Sequence, residues 1–208
     1  MTRASPQGGS DDAHWQFAKG SDPVRPSFAT LRDGALLLRA PEPRDAEPIF
    51  AAIEESKESL DRWMSWYRPG LSLQDVRAWI DHCSAQWEAG DAREFGLFDA
   101  TTGEILGCAG VTQVNRAHAF ANLGYWVRTS RRGRGVATAA VRLLAAFAFR
   151  ELGLNRVEIL TLLDNAPSRR VAEKAGARYE GIARGRLQHH GTPMDAAMHS
   201  MVPADLDT

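Results

Sequence analysis

Four stretches of the chain place apolar residues every three to four positions, which is the spacing of an amphipathic helix. The first, residues 44–67, is predicted to form two helices with a break near Ser56. The other three predicted helices are residues 72–90, residues 135–150 and the short segment 166–176. Residues typical of helix ends support these limits. They are Ser72 as N-cap with Asp75 completing a capping box, Gly90 and Gly176 as terminators, and Pro167 in a first turn.

The intervening apolar stretches are shorter and end in the turn residues that flank strands. They are residues 35–41, a hairpin over 93–114 that turns at 100–104, and residues 120–128, 156–164, 179–188 and 195–203. The segment 156–164 is apolar enough to predict a central strand that is covered on both faces. The order of strands and helices predicts a single α/β or α+β domain with a mixed sheet.

Residues 1–28 differ from the rest of the chain, because they are rich in Ser, Gly, Pro and Asp and show no period. They are predicted to be a mobile extension in front of one domain, residues 29–208. Trp15 and Phe17 are exceptions within it and could dock on the domain or on a second subunit, which leaves a homodimer open.

Composition excludes several classes of function. The formal net charge of −1 gives no general reason to expect DNA binding, so a basic cluster should serve a local purpose. The two cysteines, Cys83 and Cys108, are too few for a disulfide framework and indicate a reducing cytoplasm. No apolar run reaches membrane-spanning length and the N-terminus shows no signal-peptide core, so no membrane association is expected. The six histidines lack the spacing of metal ligands, and no metal site is predicted.

The segment "RTSRRGRGVATAAVRLL", residues 128–144, joins a predicted strand to a predicted helix. The first turn of a helix has backbone N–H groups without partners and carries the positive end of the helix dipole. Glycines there allow the backbone to approach a ligand closely, and arginines add positive charge. The residues concerned are Arg131, Arg132, Gly133, Arg134 and Gly135. The segment therefore favours a phosphate or pyrophosphate site, with a solvated Gly-Arg turn as the alternative.

Four motifs in order resemble one family. "RGRGVA" (132–137) is similar to the Arg/Gln-x-x-Gly-x-Gly/Ala signature of the GNAT acetyltransferase superfamily. "LGYWVRTSRRGRGVATAAV", "AFRELGLNRVEI", "DNAPSRRVAEKAGARYEG" and "LDRWMSW" resemble its RimJ/RimL-type branch, the ribosomal-protein N-terminal acetyltransferases, and the resemblance spans residues 34 to 202. It implies a single GNAT-like domain, with a mostly antiparallel sheet in which one parallel strand pair splays apart. It also implies transfer of an acetyl group from acetyl-CoA to an amine by direct attack in a ternary complex.

The resemblance assigns residues to the donor site. The loop amides would hold the pyrophosphate, and backbone groups in strand 120–128 would pair with the pantetheine arm. The implied cofactor-binding residues are Trp126, Val127, Arg132, Gly133, Arg134, Gly135, Val136, Ala137, Thr138 and Asn165. Asn165 could equally be the N-cap of the next helix. Ser168 matches a serine that serves the departing sulfur in the branch, and its alternative is a plain first-turn helix residue.

The general base and the acceptor are less defined. Asn122 and Leu187 occupy places where relatives carry acidic residues. Five residues remain as substitutes, namely Glu94, Glu180, His118, His189 and His190. Without a dedicated base, an acceptor that is already partly neutral is favoured, such as the α-amine of a protein or peptide N-terminus, with a pKa of about 8. A small amine or antibiotic-like acceptor, or a catalytically weakened CoA-binding protein, are the alternatives.

The aromatic cluster at residues 63–67 also has two interpretations. Trp63, Met64, Trp66 and Tyr67 would ordinarily be core, yet in the branch this region lines the acceptor entrance. The acidic residues of the preceding helix could attract a cationic amine or could simply form a solvated face. They are Glu54, Glu55, Glu58 and Asp61.

Overall fold

The computed structural model describes residues 29–206. The predicted extension 1–28, with Trp15 and Phe17, lies outside the described residues. The strands are β1 (Leu31–Asp33), β2 (Leu36–Arg39), β3 (Arg93–Asp99), β4 (Ile105–Asn115), β5 (Phe120–Val127), β6 (Arg156–Leu162), β7 (Arg178–His189) and β8 (Thr192–Met201). The helices are α1 (Ala46–Trp63), α2 (Leu73–Ala89), α3 (Val136–Arg150) and α4 (Ala166–Ala175).

All eight strands form one mixed sheet in the order β1-β2-β3-β4-β5-β6-β8-β7. Every neighbouring pair is antiparallel except β5 and β6, which run parallel and are joined by α3. The predicted fold class, a mostly antiparallel sheet with one parallel pair flanked by helices, is confirmed. None of the helices within residues 29–206 combines the length and the apolar character needed to cross a bilayer.

Helices cover both faces of the sheet because its strands alternate apolar side chains between the two faces. On one face, α3 packs Leu144 and Phe147 against Phe95 of β3. On the other face, α1 and α2 bury Ile49 and Ile80 against the opposite side of β3, β4 and β5. Each such side chain contributes about 1.5–3 kcal/mol when fully buried, so the two layers fix the sheet that carries the site.

The prediction of two helices broken near Ser56 was wrong, since α1 runs without interruption from Ala46 to Trp63. Ser56 lies on the buried side of α1 with 1% of its surface exposed. Its Oγ accepts a hydrogen bond from the backbone N–H of Thr129, at 3.1 Å. The hydroxyl therefore bonds to the segment after β5 and does not compete for the backbone of its own helix.

The strand limits differ at two places. β1 was not predicted, and it forms a hairpin with β2 through Gly34, whose φ of 54° suits glycine. β6 was predicted to be covered on both faces, but burial alternates along most of it, with Val157 and Ile159 in the core. Its other face borders an open cavity rather than a helix, so the expectation of two covered faces was wrong.

The predicted helix ends agree with the structure. Ser72 caps α2 by accepting from the N–H of Asp75 at 3.3 Å, and the Asp75 carboxylate accepts from the Ser72 N–H at 2.8 Å. Gly90 and Gly176 end α2 and α4 in the left-handed conformation. The two glycines act as expected, because a residue with a Cβ is strained there.

Candidate active site

The parallel pair of strands separates partway along its length. β5 and β6 are paired at only three positions, the last joining Asn122 to Glu158. Beyond that point β5 pairs with β4 alone and β6 pairs with β8 alone. The divergence opens a wedge in the middle of the sheet, and Trp126 and Val127 lie on the diverging part of β5. Backbone groups at such an edge can pair with an extended ligand.

A cavity of about 580 Å³ opens at this wedge. Its floor is formed by β4, β5 and β6, and its walls come from α1, α2, the start of α4 and the end of β7. Trp126 is 8% exposed and packs its indole toward Trp66, with ring centroids 6.3 Å apart. The wedge therefore has a cavity on the α1–α2 side that a second substrate could enter.

The loop before α3 has the geometry of an anion site. Gly133 and Gly135 have φ values of 74° and 82°, and a Cβ at either would meet nothing within 4 Å. Ala139 donates to the carbonyl of Gly135, which closes the first turn of α3. The N–H groups of the first turn, those of Val136, Ala137 and Thr138, have no partner within the helix. Glycine is needed here for backbone conformation, and the adjacent space is open to a ligand.

The arginines of this loop have different tasks. Arg128 forms ion pairs with Glu55 of α1 and with Glu104, which precedes β4. Arg131 pairs with the same Glu104. Arg131 was expected to surround the anion, but Glu104 neutralises its charge. Glu55 also accepts from the N–H of Ser130 at 2.8 Å, and hydrogen bonding to Arg128 lowers the pKa of Glu55 to about 2. These pairs fasten the loop to α1 and to the sheet.

Two arginines remain for the ligand. Arg132 donates through Nε to the carbonyl of Val127 at 3.0 Å, which directs its guanidinium along the end of β5. Arg134 is exposed, and it has no ion pair within residues 29–206. The positive charge available to a phosphate therefore comes from Arg132, Arg134 and the helix dipole.

Ser168 and Asn165 meet at the start of α4, on the wall of the cavity. The Asn165 side chain accepts from the N–H of Ser168 at 3.2 Å, so the N-cap interpretation of Asn165 is confirmed. The Ser168 Oγ lies 3.0 Å from the hydroxyl of Tyr125, which also donates to the Ser168 carbonyl. Burial raises the pKa of Tyr125 to about 12. Sequence reasoning missed Tyr125, although it lies inside the "GYW" segment of β5.

Three of the five candidate bases have other roles. Glu180 pairs with Arg156 and accepts from Ser200, and hydrogen bonding to Arg156 lowers the pKa of Glu180 to about 2. His190 lies 2.9 Å from the carbonyl of Asp61 at the end of α1. His118 is exposed in the turn between β4 and β5. Glu94 and His189 line the cavity, as do Asn122 and Leu187.

The aromatic cluster divides between core and entrance. Tyr67 is 7% exposed and belongs to the α1–α2 core, whereas Trp66 is 46% exposed at the mouth of the cavity. Glu54 and Glu58 are exposed on α1, where they form a solvated face. No group of three or more His, Cys, Asp or Glu side chains within the described part of the chain is arranged to hold a metal ion.

A splayed parallel strand pair with a cavity beside it, together with a glycine-rich turn at a helix N-terminus, is the arrangement expected of an acyl-CoA-dependent N-acyltransferase. The match to a family model is consistent with this: residues 35–178 match the Acetyltransferase (GNAT) domain. The chain belongs to the GNAT acetyltransferase family. It is an N-acetyltransferase, and its acetyl donor is acetyl-CoA.

Similar proteins place the chain beside the RimJ/RimL enzymes. YdaF of Bacillus subtilis (strain 168), provisionally named a ribosomal N-acetyltransferase, is 32% identical over 80% of this chain and 91% of its own length. The ribosomal-protein-serine acetyltransferase of Escherichia coli (strain K12) is 25% identical over 71% of this chain and 81% of that protein. The structure of Mycobacterium smegmatis RimJ in complex with CoA-disulfide superimposes with a TM-score of 0.78, at 25% identity, over 89% of this chain and 91% of that chain.

Proposed function

We propose that the protein transfers the acetyl group of acetyl-CoA to the α-amine of a protein or peptide N-terminus, by direct attack in a ternary complex. The observation that carries this proposal is the cavity, which joins the wedge between β5 and β6 to an open mouth at Trp66. A chain end can enter through that mouth and present its amine to a thioester held in the wedge.

The donor would lie along the diverging part of β5. The pyrophosphate binds the first-turn amides of Val136, Ala137 and Thr138, with Arg132 and Arg134 supplying charge. Gly133 and Gly135 hold the loop in the conformation that turns these amides outward. The pantetheine arm pairs with backbone groups near Trp126 and Val127. The Oδ1 of Asn165 is engaged as a cap, so its amide nitrogen is the group left for the pantetheine.

The departing thiolate would be met at the start of α4. The amine attacks the thioester carbonyl carbon, the C–S bond breaks, and the sulfur accepts a hydrogen bond from Ser168 Oγ. Tyr125 lies 3.0 Å behind that hydroxyl and can pass a proton to it. The thiolate, whose conjugate thiol has a pKa of about 8.5, is a weaker base than the oxyanion of either hydroxyl, so the hydroxyls stabilise it by hydrogen bonding more than by full proton transfer in the transition state.

Two similarities support an N-terminal acceptor. The named relatives include a ribosomal-protein-serine acetyltransferase, and RimJ shares the fold over most of both chains. An α-amine of pKa about 8 is roughly one-tenth neutral at pH 7, whereas a lysine amine near 10.4 is neutral in about one molecule in 2,500.

The unpaired Cys83 and Cys108 support the cytoplasm as the compartment.

The test is a panel of acceptors with acetyl-CoA, followed by thiol release and by mass spectrometry of the product. The panel contains one peptide sequence made with Ser, Ala or Met at its N-terminus. It also contains the same peptide with a blocked N-terminus and an internal Lys, and free amino acids. We expect acetylation of the free N-termini and at least a hundredfold lower rate on the blocked peptide. Acetylation of free amino acids alone would identify a small-molecule enzyme. CoA binding without any transfer would identify a catalytically weakened protein.

A further inference from the structure

Two glycines form a trough in the floor of the cavity beside the wedge. Glu94 of β3 is paired with Gly110 of β4, and Gly110 is paired with Gly124 of β5. A Cβ built on Gly110 would overlap Glu94 Oε2, so the carboxylate lies directly over the position where a side chain is missing. Adjacent strands are about 4.8 Å apart. The Glu94 carboxylate therefore lies about one strand spacing from β5, where the wedge begins.

The trough leads to the place where an acceptor amine must lie. The last β5–β6 pair is at Asn122, and Gly124 follows it on the diverging part of β5. The Asn122 amide nitrogen is 3.9 Å from the Cβ position of Gly124. Asn122 carries no ionisable group, yet it flanks the trough that the Glu94 carboxylate enters from the other side. A base on β3 can thus serve the reaction centre across two residues that lack side chains.

The Glu94 carboxylate also differs from two other carboxylates whose pKa values are shifted. Glu55 and Glu180 are paired with arginines. No hydrogen bond or ion pair reaches the Glu94 carboxylate from any residue between 29 and 206, although its backbone carbonyl accepts from Trp87. Desolvation alone raises the pKa of Glu94 to about 7. A carboxylate of this kind lacks a structural partner and is matched to neutral pH.

The groups that face Glu94 do not supply a competing charge close by. Cys83 of α2 and Cys108 of β4 are the thiols against it, and burial raises the pKa of both, so they stay neutral. Across the cavity, Asp75 and Arg68 pair with each other at 2.8 Å. The remaining charged or titratable groups on the two cavities that Glu94 borders are Tyr125, Arg186, His189, His82 and Asp91.

A second cavity of about 400 Å³ gives Glu94 an outlet to solvent. Trp79, Glu94, Thr112 and Gln113 border both cavities, so Glu94 lies where they meet. A proton taken from the acceptor side can therefore leave on the other side, past exposed His82 and Asp91. A base that turns over many times needs such an exit.

We propose that Glu94 is the general base that deprotonates the acceptor amine, directly or through one water. This inference rests on the proposed acetyl transfer. The acceptor ammonium gives one proton to the Glu94 carboxylate, and the neutral nitrogen attacks the thioester carbon. As the C–S bond breaks, the sulfur leaves as a thiolate and then takes up the second nitrogen proton, through the Ser168 hydroxyl or a water, to become the thiol. Glu94 then releases its proton to solvent. Overall, the ammonium and acetyl-CoA give one amide, one thiol and one proton.

The kinetic test compares Glu94→Gln with the matched control Glu88→Gln, which changes an exposed carboxylate on α2. With acetyl-CoA and the Ser-peptide, we expect Glu94→Gln to lower kcat/KM about a hundredfold at pH 7. The wild-type profile should fall below an apparent pKa near 7, and in Glu94→Gln this acidic limb should be replaced by one that follows the pKa of the acceptor amine. The Kd for acetyl-CoA should stay within twofold. His189→Gln should keep the limb.

Three results would overturn the proposal. One is a Glu94→Gln variant that keeps more than a third of the wild-type kcat/KM. Another is an acidic limb near pH 7 that persists in Glu94→Gln and disappears in His189→Gln. The third is a break in the wild-type profile that moves with the pKa of the acceptor amine, which would mean that no enzyme group titrates. Any acetylated amine from the panel serves for this profile, so failure of the N-terminal acceptor leaves the test of Glu94 in place.

A measurement of stability tests the same ionisation without any turnover. Because the pKa of Glu94 is raised in the folded protein, the native state binds more protons than the unfolded chain between about pH 4.5 and 7. This group therefore makes the protein less stable as the pH rises through that window. Glu94→Gln should have a higher Tm than wild type at pH 8, and the difference should shrink at pH 5. An equal difference in Tm at pH 5 and at pH 8 would contradict a carboxylate whose pKa is raised by desolvation.

Discussion

Replacing Gly135 with alanine tests the anion site with a magnitude that follows from the backbone. Gly135 has a φ of 82° and caps α3 in the left-handed conformation. A residue with a Cβ pays roughly 1–2 kcal/mol there. Nothing lies within 4 Å of the added Cβ, so the cost is one of backbone strain and not of collision. The free loop can relax to a negative φ, and acetyl-CoA must then restore the strained conformation when it binds.

The expected result of Gly135→Ala is a Kd for CoA that rises about 5- to 30-fold, which is 1–2 kcal/mol converted to an affinity ratio. Isothermal titration calorimetry measures it directly. Acetyl-pantetheine lacks the pyrophosphate, so its KM should change much less. Strain that the free loop relieves does not lower the Tm, so the Tm should fall by less than the roughly 2–8 °C that 1–2 kcal/mol would give at about 2–4 °C per kcal/mol for a protein of this size.

Gly153 provides the matched control. It has a φ of 65°, a Cβ there would also meet nothing within 4 Å, and it follows the C-terminus of α3. That position is roughly 22 Å from Gly135 along the 15-residue helix. Gly153→Ala should lower the Tm by a similar amount and leave the Kd for CoA unchanged. A folded Gly135→Ala protein with wild-type affinity would refute the anion site, as would equal losses of affinity in both variants.

Three further predictions concern the thiolate, the loop and a buried histidine. Ser168→Ala should lower kcat about tenfold in steady-state kinetics, with little change in the KM for acetyl-CoA. Adding Tyr125→Phe should lower kcat little further, because both hydroxyls act on one sulfur. Additive losses of kcat in the double variant would show that the two residues act separately. Glu55→Gln should weaken CoA binding about 3- to 10-fold by calorimetry, since Arg128 and the loop lose their attachment to α1, whereas unchanged affinity would make the pair only structural. His199 is fully buried and burial lowers its pKa, so the native state binds fewer protons than the unfolded chain below about pH 6.5. Stability should therefore fall as the pH drops below 6.5, and His199→Leu should flatten this dependence in thermal melts.

Local chemistry explains why much of the fold could be predicted from the sequence. The capping box at Ser72 and the glycines at 90 and 176 determine helix ends through interactions within a few residues. The turn over residues 100–104 is set in the same way. Ser56 could not be interpreted locally, since its hydroxyl is used by Thr129, which lies 73 residues away. The open face of β6 was equally hidden, because the cavity over it is made by α1, α2 and α4.

The sequence points to a candidate donor site more directly than to a base, for a related reason. Gly133, Gly135 and the first turn of α3 form one continuous segment, so the order of the residues is enough to suggest an anion site. Tyr125 and Ser168 are 43 residues apart, and only the packing of α4 beside β5 brings their hydroxyls together. The charge of Arg131 could not be assigned either, because its partner Glu104 lies 27 residues away, just before β4.

Glu94 shows how a catalytic group can move to another strand without a change in the fold. Asn122 removes the carboxylate from β5, and the register places Gly110 and Gly124 in line with Glu94. A Cβ at Gly110 would overlap the Glu94 carboxylate, so a larger residue there would push the carboxylate out of the trough. Gly110→Ala should therefore lose kcat as Glu94→Gln does, although the Gly110→Ala protein keeps the ionisable carboxylate of Glu94. A variant that keeps full activity would mean that the carboxylate need not lie in the trough, and the base would then have to be sought at His189.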